Sequence, residues 1–377
     1  MSQHFDLEDN ILYLNHAAVS PWPRRTVQAV QRFALDNGAT GSKRYANWVA
    51  TETRLRERLS ALIGATSPGD VALAKSTSEA LSMVAQGLPW RKGDNIVGIR
   101  QEFPSNRIVW EALADRGVTW RGLDLDSSVD PEAELLSLCD DHTRVLAVSW
   151  VQYARGLRLD LERLSRGCRA RDILLCVDGI QGLGALPFDL AEIPADFVAA
   201  DGHKWMLGAE GLALFWCRPT LREQLRLTQF GWHMVEDMGD FDREDWRPAT
   251  DARRFECGSP NMLGVHALEA SLALIQELGM DQVASAIAER IARLVELIDA
   301  HGLELLSPRA PGRRAGIITF RVPGVDQQAL YKTLMQGNLM CASRGGGLRF
   351  SPHFYTPIDH LDRAIALTLK TASGLPH

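Results

Sequence analysis

Cysteine is scarce and scattered in this chain. The six residues, Cys139, Cys168, Cys176, Cys217, Cys257 and Cys341, include no Cys-x-x-Cys pair. Most lie in apolar or helical runs, which argues against a disulfide framework or a zinc site, and no metal is expected. Cys176 and Cys217 read as buried fillers. Basic residues are also short: 41 Lys and Arg stand against 47 Asp and Glu, a net charge of −6. Without a basic stripe, no nucleic-acid partner is expected. No apolar run approaches the ~20 residues of a membrane span. The opening Met1-Ser-Gln-His-Phe-Asp-Leu-Glu-Asp-Asn10 is polar and acidic, unlike a signal peptide. The expectation is a cytoplasmic protein with no membrane partner. Internal repeats and low-complexity tracts are missing too. What remains is ordinary globular composition, 46% hydrophobic and 23% charged, over 377 residues that suit two or three domains.

What is present is alternation. Apolar runs at 71–74, 95–98, 145–149, 173–177, 197–200 and 212–216 read as strands. Helix-like segments at 79–86, 107–116 and 161–170 fall between the earlier ones. Repeated strand–helix units predict a mostly parallel sheet flanked by helices, with ligands outside the carboxyl ends of the strands. After about residue 260 the texture changes. Helices over 267–277 and 282–300 precede a strand at 316–322, a helix at 326–336, a strand region at 339–351 and a last helix at 358–372. This reads as a smaller α+β C-terminal domain. The expected division is an N-terminal arm (1–22), a large domain (23–260) and a small domain (261–377).

Two charges stand at neighbouring predicted strand ends. Lys204 follows the strand at 197–200, and Asp178 ends the one at 173–177. A pyridoxal 5′-phosphate enzyme needs such a pair. The lysine amine joins the cofactor aldehyde, and the aspartate keeps the pyridine nitrogen protonated so that the ring accepts electrons. Most lysines are solvated surface charges, and strand-end aspartates often cap turns. Lys204, however, is wedged among Gly202, Trp205, Met206 and Leu207. Desolvation there would lower its pKa and free the amine. Upstream, Ser76 and Glu79 fit a capping box opening a helix, a ready anion site. Phe103, after the next strand, could stack on a flat cofactor ring or simply fill the core. Gln181 is placed to hydrogen-bond the cofactor phenol oxygen. Arg349 sits in an apolar strand pattern, where its fork could take a substrate carboxylate or make a structural ion pair. The glycines before it, Gly345 to Gly347, suit a tight or mobile loop.

Together these segments resemble the class V aminotransferase family, fold-type-I pyridoxal phosphate enzymes that include cysteine desulfurases, selenocysteine lyases and isopenicillin N epimerase. The resemblance runs through Tyr13-Leu-Asn-His-Ala-Ala18, Ser76-Thr-Ser-Glu-Ala80, Glu102-Phe-Pro-Ser-Asn106, Val177-Asp-Gly-Ile-Gln181, Gly202-His-Lys-Trp205, Arg254-Phe-Glu-Cys-Gly-Ser-Pro-Asn261 and Leu348-Arg-Phe-Ser-Pro352. Their order and spacing make it specific along nearly the whole chain. It implies that Lys204 is the Schiff-base lysine and proton shuttle, and that Asp178 and Gln181 meet the ring. It places Ser76, Thr77, Ser78 and His203 around the phosphate and Phe103 at the stacking position. It gives the α-carboxylate to Arg349 and puts His16, Ala17 and Tyr153 on the substrate side. Ser259 would reach the phosphate of a neighbouring subunit, implying a homodimer with shared sites.

Two departures bear on the reaction. Asp201 stands where desulfurases have a phosphate-binding serine, and a carboxylate there must point away from a phosphate. The segment before Arg349, Ser343-Arg-Gly-Gly-Gly347, has no cysteine to carry a persulfide. The expected function is therefore chemistry at Cα of a small amino acid, with transamination as the leading outcome. The alternatives are β-elimination or desulfuration without that cysteine, epimerisation, and a non-catalytic cofactor-binding protein.

Overall fold

The computed structural model describes residues 2–375; the outer limits of the expected arm and small domain lie outside the described residues. The chain opens with β1 (Leu12–Tyr13) and two long helices, α1 (Arg24–Thr40) and α2 (Tyr45–Ile63). Strands and helices then alternate: β2 (Val71–Ala74), α3 (Thr77–Gly87), β3 (Asn95–Ile99), α4 (Ser105–Glu111), β4 (Thr119–Leu123) and α5 (Pro131–Leu138). They continue through β5 (Thr143–Ser149), α6 (Leu161–Arg169), β6 (Leu174–Asp178), β7 (Phe197–Asp201) and β8 (Ala213–Cys217). Two helices follow, α7 (Met262–Leu278) and α8 (Met280–Ala300). The last part holds β9 (Glu304–Leu305), β10 (Ile318–Arg321), α9 (Gln327–Gln336), β11 (Leu339–Met340), β12 (Ala342–Arg344), β13 (Gly347–Phe350) and α10 (Ile358–Ser373).

Seven strands form the large sheet in the order β2-β8-β7-β6-β5-β3-β4. Only β8 runs antiparallel to its neighbours, β2 and β7. Because two reversals cancel, β2 points the same way as β3, β5, β6 and β7. Their carboxyl ends therefore share one edge. The strands β3, β7 and β8 are buried at every position, as a sheet covered on both faces requires. The second sheet, β12-β13-β10-β9, is antiparallel. β1 is not free: it pairs in parallel with β11, so the first segment of the chain is stapled beside the second sheet.

Three elements escape a reading by apolar runs. α1 buries only Thr26 and Ala29, so it shows no apolar stripe. α2 does carry one, through Leu55, Leu59 and Leu62, and packs against α7. β4 is an edge strand with the mixed pattern Thr-Trp-Arg-Gly-Leu, of which only Leu123 is buried. No helix among the described residues is long and apolar enough to cross a membrane.

Candidate active site

The carboxyl edge of the large sheet brings the candidate residues together. Asp178 ends β6, and Lys204 comes three residues after β7. Both are buried. The Lys204 amine accepts and donates no hydrogen bond within the described residues; its nearest ring is Phe103, with the centroid 5.5 Å from Nζ. Burial lowers its pKa to about 8; Asp178 and Asp201 pull the other way, and Arg349 adds to the lowering. Asp178 accepts the backbone N–H of Ile180 through Oδ1 at 3.0 Å. Burial raises its pKa to about 6, against that hydrogen bond and the nearby lysine. A cation beside its other oxygen would return it to the ionised form.

The turn around Lys204 is held from several sides. Trp205 is fully buried, and its indole N–H donates to Gln181 Oε1 at 2.9 Å. The Trp205 carbonyl meets His353 Nε2 at 3.2 Å. Two residues on, Leu207 has φ +61°, a conformation that L residues adopt at a cost. It is pinned by its own N–H to Lys204 O and by Ser271 Oγ donating to Leu207 O at 2.7 Å.

The residues expected around a phosphate lie at the start of α3. Ser76 Oγ accepts Glu79 N at 3.2 Å, and Glu79 reaches back to Lys75 N rather than to Ser76 N. Thr77 Oγ1 accepts Asp201 N at 2.9 Å, leaving its own proton to donate. Ser78 Oγ donates to Ser105 Oγ at 2.7 Å. The Asp201 carboxylate faces the His203 ring, with Oδ1 2.9 Å from Nδ1. The carboxylate is thus turned toward the His203 ring, although the contact does not have hydrogen-bond geometry. The Thr77 and Ser78 amides at the helix start complete a donor-rich pocket.

Phe103 is 42% exposed rather than core, as a stacking ring must be before its partner arrives. Tyr153 stands edge-on to it at 5.3 Å between centroids. Arg349 is central in the second sheet, between β12 and β10, and buried. It donates Nη1–H to the Tyr153 carbonyl at 2.8 Å and lies 3.5 Å from Asn15 Oδ1, while Nε has no partner. Burial lowers its pKa to about 10, still a cation at neutral pH. No carboxylate pairs with it among the described residues, so the structural ion pair is ruled out. Lys204, Asp178, Arg349, Phe103 and the Thr77–Ser78 cup leave open the groups that a pyridoxal phosphate and an amino acid require. The residues fit the cofactor.

Two of the expected residues are engaged by other partners. His16 is fully buried, with Nδ1 on Ser351 O at 2.8 Å and Nε2 on Tyr355 Oη at 2.7 Å. Both ring nitrogens are taken, so its side chain joins the arm to the segment after β13. Gln181 gives Nε2–H to Ala17 O at 2.9 Å and takes the Trp205 N–H on Oε1. It clamps the arm to the Lys204 turn, and only its second amide proton is left for a ring oxygen. Ala17 enters through its backbone, with its N–H donated to Ser351 Oγ at 3.0 Å. Ser259 is exposed on the loop before α7 and makes no hydrogen bond among the described residues. The structure adds Glu102, a buried carboxyl bound by Ser149 N–H at 2.7 Å and by Ser149 Oγ. Burial raises its pKa to about 8, so it keeps its proton at neutral pH. Its signal in the sequence was only an acid beside Phe103. Elsewhere Glu52, His233 and Glu256 converge, but Arg56 pairs with both glutamates at 2.5 Å and 2.7 Å and supplies the charge a cation would.

A parallel sheet with an aspartate and a buried lysine at one edge, facing an arginine from a second sheet, defines a fold-type-I pyridoxal phosphate enzyme. The model of the family "Aminotransferase class-V" matches residues 12–355, and the chain belongs to this family. A probable cysteine desulfurase from Methanothermobacter thermautotrophicus is 28% identical, over 98% of this chain and 96% of its own length. Isopenicillin N epimerase from Streptomyces clavuligerus is 30% identical over the same shares, 98% and 96%. Among solved structures, the cystine C–S lyase C-DES with its reaction product cysteine persulfide shares the fold. Its TM-score is 0.88 at 22% identity, covering 96% of this chain and 98% of that one.

Proposed function

We propose that this enzyme takes a proton from Cα of an amino acid and completes a transamination. The buried, unpartnered Lys204 amine, with Asp178 and Arg349 beside it, carries the reading. Bound pyridoxal phosphate supplies the electron sink for the pair left at Cα. Arg349 takes the α-carboxylate in its fork and so fixes which Cα bond lies across the ring. Lys204, neutral above about pH 8, takes the Cα proton and can return it one atom away. Asp178 holds the ring nitrogen's proton, Thr77, Ser78 and His203 hold the phosphate, and Phe103 covers one ring face. Ser259 would serve the phosphate of a second copy in a homodimer with shared sites, a role its exposed hydroxyl supports. One base suffices for transamination.

Several relatives are named cysteine desulfurases, but the thiol nearest Arg349 in sequence is poorly placed to carry a persulfide. Cys341 is buried, and burial raises its pKa to about 12. A second reading keeps Lys204 and changes the outcome to epimerisation or C–S elimination. The name of one relative, isopenicillin N epimerase, fits it, as does Tyr153, whose hydroxyl makes no hydrogen bond among the described residues and lies beside Phe103 as a second acid for inversion. A non-catalytic binder would not need an unpaired buried arginine fork. The test is to titrate purified holoprotein with a panel of L-amino acids in D2O, following the cofactor band. Keto acid is the expected product. Deuterium at an inverted Cα would move the assignment to epimerisation, and sulfide to elimination. A protein without a cofactor band, or one that responds to no amino acid, would end the proposal.

A further inference from the structure

A small substrate leaves one feature beside this site unused. A cleft of about 820 Å³ opens between the segments 100–107 and 125–131 on one side and 306–313 on the other. Its inner wall belongs to the site, since Glu102 and Tyr153 line it. Tyr153 meets the Phe103 ring that lies 5.5 Å from Lys204 Nζ, and its carbonyl receives Arg349 Nη1–H. An amino acid with its carboxylate on Arg349 and its amine at Lys204 therefore has this cleft beside its side chain. The volume is that of a pocket for a drug-sized ligand. A two-atom cysteine side chain would leave most of it to water.

The lining states the chemistry. Pro104, Leu125, Leu157 and Leu306 give it apolar stretches, and five arginines face only two acids. Arg309 and Arg313 are spent on Asp299 and Glu132. Arg107 lies 3.5 Å from Glu111. Arg155 donates Nε–H to Gly345 O and Nη1–H to Asp126. Arg100 donates Nε–H to Gly122 O at 3.0 Å; its terminal nitrogens make no hydrogen bond among the described residues, and Asp124 lies near enough to feel its charge. Of the two acids, Asp126 is thus already paired and Glu102 is held protonated by burial. Arg100 is thus the one arginine of the five without an ion pair among the described residues, and it stands next to apolar wall.

We infer that this cleft is the side-chain subsite of the enzyme, and that the substrate is an α-amino acid with an extended, partly apolar side chain ending in a carboxylate held by Arg100. The inference rests on the reading of Lys204 and Arg349 as the amino-acid site. It is tested on holoprotein by calorimetric and absorption titration with glutamate, 2-aminoadipate and 2-aminopimelate. Neutral chains of matching length and alanine are run beside them. The longer diacids should bind ~10-fold or more tighter than the neutral chains, with an advantage that shrinks as salt rises. Arg100→Gln should cut the ratio of diacid to alanine affinity by about tenfold, and Arg100→Glu should turn the preference toward chains ending in an amine. Equal binding of diacids and neutral chains, or a preference that survives Arg100→Gln, would overturn the inference while alanine still binds. If no amino acid, alanine included, perturbs the cofactor or gives heat, the reading of Lys204 falls and takes this subsite with it.

Discussion

Two turns face each other across the site, and they are built on opposite terms. The turn at 201–207 is buried except at His203, which is half-buried, and carries Leu207 at φ +61°, a conformation costing roughly 1–2 kcal/mol. Ser271, Gln181 and His353 hold it against that cost. The hairpin between β12 and β13 is minimal. Arg344 pairs with Gly347, and the two residues between them, Gly345 and Gly346, have φ of +60° and +86°. That is a two-residue type I′ turn made from the residue that adopts it freely. One turn stores strain to hold a reactive amine. The other is relaxed and too short to swing a side chain across the site. The chemistry belongs to the first turn, and the second only aims Arg349.

The largest effect should come from breaking the strained turn's function without breaking the turn. Lys204→Ala should lower turnover ~10³-fold or more and abolish covalent cofactor attachment, read by the absorption band after denaturation. Its thermal midpoint, measured without cofactor, should be no lower than that of the parent, because the substitution removes a buried amine. A Lys204→Ala protein with parental turnover would show that the amine is not the base. Next comes the residue that the relaxed hairpin aims. Arg349→Lys keeps the charge but loses the planar fork, so KM for the amino acid should rise ~10- to 100-fold. The cofactor content per chain should stay unchanged. An equal loss of cofactor would mean that Arg349 serves the phosphate or the fold instead.

The strained turn was far more legible in the sequence than its surroundings. Lys204 and Asp178 follow apolar runs that only a buried strand explains, so their place on the carboxyl edge could be read from pattern. Thr77 and Ser78 announced themselves through the cap before α3. The contacts that could not be read are those whose partners lie far along the chain. His16 bonds to Ser351 and Tyr355, and Gln181 to Ala17, contacts that no local spacing encodes. The hairpin was half legible: its glycines allowed either a tight or a mobile loop, and the strand register chose the first. α1 stayed hidden because it buries so little. Glu102 was hidden for another reason. An acid after a strand looks solvated until Ser149 and the surrounding core are seen to enclose it.

Glu102 offers a smaller effect with a definite sign. Its folded pKa of about 8 lies above the ordinary 4.5, with burial as the main cause. Between those values the folded chain keeps the proton and the unfolded chain has lost it. The stabilising contribution is therefore full below pH 4.5 and falls as pH rises through 8. Glu102→Gln stays neutral throughout. Relative to the variant, the parent should lose ~1–3 kcal/mol between pH 5 and pH 8, measured from urea midpoints without cofactor. Lys204 titrates in both proteins, so its share cancels; the charge of Asp178 is among the causes that raise Glu102, so its share belongs to the difference. Parallel curves would mean that Glu102 is ionised in the folded state, which would also set a negative charge in the cleft.

The smallest effect is the sharpest test of the relaxed hairpin. Cys341 lies just before β12 and close enough to Arg349 to feel its charge. Its thiol is 1% exposed, and burial raises its pKa to about 12, so almost none is thiolate at neutral pH. A persulfide carrier must be a thiolate that can reach the substrate's sulfur. Cys341 fails on charge and on access, and a two-residue turn cannot carry it out. Cys341→Ala should therefore leave turnover and product identity unchanged and cost only ~1 kcal/mol of stability. A variant that loses sulfide release, or a parent whose Cys341 traps a persulfide under turnover, would show that β12 and its hairpin open during the reaction. The contrast between the two turns would then be a property of the resting enzyme alone.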